Sequence, residues 1–110
     1  MTTKGPILLI DSGGTRRVEG DPNDLDTLQR LVGGGYIEAW PLDRRSAARF
    51  TLFVNEDGWR KRLTTFALFD ACAVAGPLVF VGPPDDEGNN LPLPDSADLV
   101  ADILERVTVL

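Results

Sequence analysis

The chain has 110 residues, of which 43% are hydrophobic and 25% are charged, and its formal net charge is −6. This length predicts one α+β domain over residues 1–110 with a single core, and the composition is typical of globular proteins. There is one cysteine and no histidine. These counts exclude an intrachain disulfide and a thiolate-rich zinc site, and they remove the usual general base of hydrolases. We therefore expect no enzymatic activity, no cofactor and no metal site.

The first third of the chain predicts a hairpin and then a helix. An apolar run at 7–10, a turn with two glycines and the segment 15–19 indicate two paired strands. Asp21 suits a helix cap and Pro22 the first helical position. Apolar residues then recur at helical spacing and predict a buried stripe made of Leu25, Leu28, Leu31 and Val32.

The rest of the chain predicts three strands and two helices. Residues 36–42, 49–54 and 78–81 are strand-like, and a turn follows the second of them at 55–58. Residues 64–73 predict a short helix capped by Thr64 or Thr65. After a polar loop at 82–96, Asp95 is expected to cap a helix whose buried stripe is Leu99, Val100, Ile103, Leu104 and Val107.

The predicted order is ββαββαβα. It indicates one mostly antiparallel sheet of about five strands, with two to three helices packed on it. The short apolar run near the N-terminus does not resemble a signal-peptide core, and the longest apolar run, at 66–81, is broken by Asp70 and by Gly76-Pro77. We expect a cytoplasmic protein that does not enter the membrane.

Three consecutive glycines, Gly33, Gly34 and Gly35, raise the question of a phosphate-binding loop. Such loops precede a helix, because free N–H groups and the positive end of the helix dipole point at the anion. Here the glycines follow the predicted helix, where carbonyl groups carry partial negative charge. The order predicts a bend that caps the helix, and not an anion site.

Two other polar segments have a functional and a structural interpretation. The stretch LLIDSGGTR, residues 8–16, resembles the first phosphate loop of sugar kinases and actin-like ATPases, but that fold needs several hundred residues, so a hairpin turn is favoured. The acidic residues of the loop at 85–90 do not follow the ligand spacing of an EF-hand, which favours an acidic surface loop.

The charges are unevenly distributed. Residues 43–62 carry a net charge of +3, and residues 63–110 carry −7. Direct nucleic-acid binding over a wide face is not expected, because each phosphate contact requires a lysine or arginine. The acids of the C-terminal helix, Asp98, Asp102 and Glu105, instead allow the alternative that the protein imitates nucleic-acid phosphates and blocks a DNA-binding protein.

Two stretches carry a family resemblance: LQRLVGGGYIEAWPL and, later, VNEDG. They resemble a small family of unassigned function found in bacteriophages, plasmids and their bacterial hosts, especially actinobacteria. The third glycine is an insertion relative to the common pattern, and TTFALFDACA replaces a polar segment. The resemblance implies a phage or mobile-element accessory protein with no established enzymatic activity. It singles out the polar residues Gln29, Glu38, Asn55 and Glu56.

The leading hypothesis is a non-enzymatic protein that binds a host protein and inhibits host growth. Its expected contact residues are Trp59, Arg60 and Arg62, together with Trp40, because Trp and Arg often anchor interfaces. Glu38, Asn55 and Glu56 join them because the resemblance singles them out. The alternative for Trp40 and Trp59 is burial in the core. A further hypothesis is a small nucleotide-binding or hydrolytic domain that uses Glu38, Glu56 and Asp11, since adjacent strands bring carboxylates close together.

Overall fold

The computed structural model describes residues 4–57, 65–68, 72–94 and 96–109. Within these ranges the chain has the predicted α+β character. Its elements are β1 (Gly5–Asp11), β2 (Gly14–Gly20), α1 (Leu25–Leu31), β3 (Ile37–Ala39), α2 (Arg44–Ala47), β4 (Thr51–Asn55), β5 (Thr65–Leu68), β6 (Cys72–Ala75), β7 (Leu78–Val81), α3 (Ala97–Glu105) and β8 (Val107–Val109).

The main sheet has five strands in the order β2-β1-β7-β4-β3, and every neighbouring pair is antiparallel. The predicted antiparallel sheet of about five strands is therefore confirmed. The central strand β7 is buried along its whole length, as expected for a continuous apolar run. The outer strands are β2 and β3, and β6, β5 and β8 form a second, three-stranded sheet.

Both faces of the main sheet are covered, because successive side chains of a strand point to opposite faces. On one face, alternate residues of β1, β4 and β7 pack with α3 and with Val74 of β6. On the other face, apolar residues of the same strands pack against Leu28 of α1 and against Val32, the C-cap of that helix. The sheet therefore forms the middle layer, and burial on both faces explains why β1 and β7 are almost entirely apolar.

Helix α1 begins later than predicted. Its N-cap is Asp24, whereas Asp21 forms a preceding turn in which its carboxylate accepts from the Asn23 N–H at 2.9 Å. Because Leu25 is the first residue of the helix, its side chain lies at the N-terminal end and is 54% exposed. Its predicted burial is wrong, while Leu28 and Val32 are buried as expected.

The predicted helix at 64–73 is wrong in its described part, where the chain forms β5 and β6 instead. Phe66 pairs with Val74 on one side and with Val109 on the other. Alanine and leucine in this segment suit a helix, but pairing to strands on both sides decides the outcome, because strand formation depends strongly on context. The last of these strands, β8, and the single turn of α2 were both absent from the predicted order.

The C-terminal helix is present but differs at both ends. Its N-cap is Ser96, whose hydroxyl accepts from the Leu99 N–H at 3.2 Å; Asp95 lies outside the described residues. Ile103 is buried as predicted, whereas Leu104 is 41% exposed and does not belong to the buried stripe. Val107 lies in β8 and not in the helix.

The polar loop after β7 is held against the turn that precedes α1 by side-chain hydrogen bonds. The Asn23 amide donates to the Asn90 carbonyl at 2.8 Å, and the Asn90 N–H donates to the Asn23 side-chain oxygen at 2.7 Å. Farther along, the chain passes so close to Gly82 that an added Cβ there would lie 2.4 Å from the Pro92 carbonyl oxygen. The loop is therefore fixed at two points, although its composition suggests an irregular segment.

Candidate functional site at the glycine corner

The glycine corner is the segment from Gly33 to Tyr36 that joins α1 to β3. All three glycines have positive φ, at 98°, 91° and 87°, a region that residues with a Cβ rarely occupy. The Gly33 N–H donates to the Arg30 carbonyl at 3.1 Å, and the Gly34 N–H donates to the Gln29 carbonyl at 2.8 Å. This pair of bonds is the Schellman motif that ends many helices. The predicted capping bend is present, and these two amides bond to the helix instead of facing an anion.

A buried asparagine links the glycine corner to the end of β4. Asn55 is 4% exposed, and its side-chain amide donates to the carbonyls of Val32, at 3.0 Å, and Gly34, at 2.7 Å. Its side-chain oxygen accepts from the Asp57 N–H at 2.8 Å. The side chain thus satisfies two carbonyls at the helix end and one amide in the next turn. Burial of such a group is favourable only when these bonds are made.

The β3–β4 ladder sets the positions of the polar residues beside this corner. Glu38 is opposite Val54, and the Glu56 N–H donates to the Tyr36 carbonyl at 3.0 Å. Glu38 and Glu56 are therefore diagonal neighbours on the ladder and not a directly opposed pair. Both glutamates are exposed, and the Tyr36 side chain is 70% exposed.

The two sequence stretches that carry the family resemblance meet at this point. LVGG-IE supplies the glycine corner and β3, and NEDG supplies Asn55 and the turn after it. Asn55 is one of the polar residues that the family resemblance singles out, and on that ground it is among the expected contact residues. In the structure its polar atoms bond inside the chain. No local signal identifies this role, because the bonded carbonyls lie 21 and 23 residues earlier.

The aromatic contact residues predicted from the sequence are only partly described. Trp40 is partly buried and packs against the core cluster on the α3 side of the sheet, which agrees with the core alternative for that residue. Trp59, Arg60 and Arg62 lie outside the described residues. Tyr36, which sequence reasoning did not single out, is the most exposed large apolar side chain of the described part of the chain.

The carboxylates suggested for a small enzymatic site do not lie together. Asp11 ends β1, and β7 and β4 separate that strand from β3, which carries Glu38. Three strand spacings amount to about 14 Å. The Asp11 carboxylate also accepts from the Gly13 N–H at 2.8 Å and from Arg16 at 2.9 Å. It serves the β1–β2 turn, and a site combining it with Glu38 and Glu56 is contradicted.

Asp102 of α3 is already paired inside the protein. Arg49 donates to its carboxylate at 2.5 Å, and Arg106 lies 3.2 Å from its other oxygen. The hydrogen bond from Arg49 and the charge of Arg106 hold the pKa of Asp102 below its ordinary value. The pKa of Asp43 is also lowered, chiefly by a hydrogen bond from Ser46 of α2. The contact of Arg49 with Asp102 joins the segment after α2 to α3, and the two arginines leave Asp102 partly neutralised.

The acidic loop forms a surface turn. Asp85 accepts from the backbone N–H groups of Glu87 and Asn89, each at 2.9 Å. Within the described ranges, no three His, Cys, Asp or Glu side chains are grouped so that they could hold a metal ion. A separate feature of the described part of the chain is that its helices are too short or too polar to cross a membrane.

Comparison with known proteins gives a family but no activity. The chain matches no curated protein and no solved structure. A family model matches residues 1–108, which is nearly the whole chain. The protein therefore belongs to the family described as Domain of unknown function (DUF3846).

Proposed function

We propose that this protein is a non-enzymatic binding protein whose glycine corner contacts a partner protein. The observation that carries the proposal is Tyr36, which is 70% exposed on a segment fixed by the helix cap and by Asn55. Tyrosine is enriched at protein interfaces because it offers a large apolar ring and a polar hydroxyl group at low entropic cost. An exposed tyrosine on a fixed backbone is suited to anchor such a contact.

The fixed backbone matters for the free energy of binding. Ordering a loop at an interface costs free energy that the contacts must offset. Here the Schellman bonds and the two bonds from Asn55 order the corner within the free protein. The exposed acids Glu38 and Glu56 stand beside Tyr36 and favour a partner surface with positive charge.

The biological setting of the proposal comes from the family resemblance. It favours an accessory protein of a phage or mobile element that acts in the cytoplasm of an actinobacterial host. The partner is then a host protein, and expression of the chain is expected to slow host growth. Because the family has no described activity, this setting is part of the proposal.

The phosphate-mimic alternative has less support. Mimicry requires a row of free carboxylates at regular spacing. Asp102, the central acid of the proposed row on α3, is held by Arg49 and Arg106. The remaining exposed acids, Asp98 and Glu105, lie at opposite ends of the helix. We therefore favour a partner that recognises the glycine corner.

Affinity capture from host lysate tests the proposal. Wild-type protein is compared with Tyr36→Ser and with the control Leu104→Ser, which also changes an exposed apolar side chain but on α3. We expect one host protein, identified by mass spectrometry, to be retained by the wild type and the control and lost with Tyr36→Ser. Folding of each variant is checked by thermal unfolding. Equal capture by all three proteins, or capture of no specific protein, contradicts the proposal.

A thermal-shift screen tests the enzymatic alternative. A ligand at 100 times its dissociation constant stabilises a fold by about 2.7 kcal/mol, which raises the melting temperature by several degrees in a domain of this size. We expect no such rise with nucleotides or divalent ions. A reproducible rise that is lost in Glu38→Gln or Glu56→Gln would favour the enzymatic alternative over the binding proposal.

A further inference from the structure

The outer edge of β3 presents backbone groups that point away from the main sheet. The Trp40 N–H donates to the Leu52 carbonyl, and the Tyr36 carbonyl accepts from the Glu56 N–H. The residues at even-numbered positions from 36 to 40 therefore bond to β4 and its extension. In an antiparallel ladder the alternate residues then direct their N–H and C=O groups outward. These are Ile37 and Ala39, and β3 is the last strand of its sheet.

This edge has defined ends. On one side Gly35, with φ of 87°, turns the chain out of the strand direction. On the other side Pro41 has no N–H at the next outward position. An added strand can therefore form its bonds at two residues, which fixes its register. The side chains beside these groups are Tyr36, Glu38 and Trp40, followed along the ladder by Glu56.

A second copy of the chain does not suit this edge. Antiparallel self-pairing that uses both outward residues of each copy must centre on Glu38, which places the two Glu38 side chains directly opposite each other. Like charges at that position are destabilising. Self-pairing centred on Ala39 places Ile37 opposite Pro41, which cannot donate, and pairing centred on Ile37 brings in the bent Gly35.

We propose that β3 binds an extended segment of the partner protein, with a lysine or arginine opposite Glu38. The main-chain bonds of Ile37 and Ala39 add this segment as a sixth strand of the main sheet, a known mode of peptide recognition. The basic residue pairs with Glu38, and Tyr36 covers one end of the segment. This inference rests on the proposed function, because it specifies the chemistry of the partner at the same site.

Amide hydrogen exchange with two synthetic peptides tests the inference without the partner. The first is acetyl-Thr-Val-Lys-Val-Thr-amide, and the second has glutamate in place of lysine; each is added at millimolar concentration to the isotope-labelled protein. We expect the lysine peptide to slow exchange at Ile37 and Ala39, while the glutamate peptide does not. Absence of protection with the lysine peptide, or equal protection with both, overturns the inference.

A pair of substitutions tests the backbone bonds. Ala39→Pro removes one outward N–H and keeps the bonds that β3 makes to β4, because proline is tolerated at a sheet edge. Ala39→Val keeps the N–H and is the matched control. We expect Ala39→Pro to lower the affinity for the lysine peptide about fivefold or more, which is the effect of one lost hydrogen bond. We expect no change in affinity for Ala39→Val. Equal affinity of both variants overturns the inference.

The experiments can contradict either proposal without contradicting the other. If the host protein is captured through Tyr36 but neither peptide protects β3, the strand inference is lost and the proposed function stands. If the lysine peptide binds β3 but no host protein is captured, the proposed function is lost and the edge is a peptide site with another role.

Discussion

The two outer strands of the main sheet are built in different ways. The long edge strand β2 has seven residues and carries Arg16, Arg17 and Glu19 along its exposed length. The short edge strand β3 has three residues and carries a single acid, Glu38. Charges spread along an edge discourage pairing with another chain. A short edge with one charge and defined ends discourages self-pairing while it still permits a partner of opposite charge.

The turns that lead to these edges also differ. The turn before β2 is held locally, since Asp11 bonds to Gly13, two residues away. The glycine corner before β3 is held by Asn55, from a different part of the chain. The turn before β3 therefore depends on the complete fold, whereas the turn before β2 depends mainly on its own sequence.

The largest expected effect is on stability in Asn55→Ala. The change removes the two hydrogen bonds that Asn55 donates to the Val32 and Gly34 carbonyls and the one that it accepts from the Asp57 N–H. Because Asn55 is buried, we expect the free energy of unfolding to fall by about 3 kcal/mol. Asp11→Ala, at the turn before β2, is expected to cost less than about 1 kcal/mol, because its contacts are exposed. Urea unfolding measures both. Equal losses would contradict the proposed difference between the two turns.

The next effect is on the backbone of the glycine corner. Gly34 has φ of 91°, and a Cβ added there would meet nothing within 4 Å. We therefore expect Gly34→Ala to lower the free energy of unfolding only through backbone strain, by about 1–2 kcal/mol. Gly13→Ala is the control, since Gly13 is not among the residues with positive φ. Its added Cβ would lie 3.2 Å from the Asp11 Oδ1 in the exposed turn, which must shift slightly, so we expect a loss below about 1 kcal/mol. Equal losses of unfolding free energy for the two substitutions would show that the fold does not require the positive φ of Gly34.

A smaller effect on stability is expected from a change at Asp102, which lies on α3 and away from both edge strands. Its pKa is lowered in the folded protein by Arg49 and Arg106, so its contribution to stability is present above the unfolded pKa near 3.9 and is lost as the pH falls through the lower folded pKa. We expect Asp102→Asn to be slightly less stable than the wild type at pH 7. Unfolding curves at pH 7 and pH 2 measure the difference, and its persistence at pH 2 would contradict this assignment.

The smallest effect concerns self-association at β3. Glu38→Thr removes the like-charge contact that opposes pairing of two copies, so we expect weak dimers at millimolar concentration that the wild type does not form. Sedimentation velocity over a concentration series measures this association. The double variant Glu38→Thr, Ala39→Pro is expected to return to the wild-type behaviour. Dimers that persist in the double variant would show that another surface is responsible.

Most of the main sheet is predictable because its signals are local. The apolar run of β1, the glycine turn and the continuous apolar β7 identify these strands without knowledge of the fold. The apolar spacing also predicts helix α1, but the predicted start is too early, because Asp21 has the same capping chemistry as Asp24. The second sheet was not predictable in the same way, since β5 pairs with β8, which lies about 40 residues later.

The candidate site shows the same division. The position of the glycines after a helix predicts a capping bend, and the structure has that bend. The role of Asn55 and the exposure of Tyr36 depend on contacts between distant segments, so the sequence pattern alone does not identify them. The pattern names Trp40, which packs against the core, and Trp59, Arg60 and Arg62, which lie outside the described residues. Long-range contacts thus decide which polar residue is internal and which aromatic residue faces outward.

The central claim is that the glycine corner is rigid in the free protein because Asn55 holds it. Backbone order parameters from ¹⁵N relaxation test this claim most directly at Gly33, Gly34, Gly35 and Tyr36. We predict values of about 0.85 in the wild type and below about 0.6 in Asn55→Ala, under conditions where the variant is folded. Values below about 0.6 in the wild type would contradict the claim, because the corner would then be mobile before any partner binds.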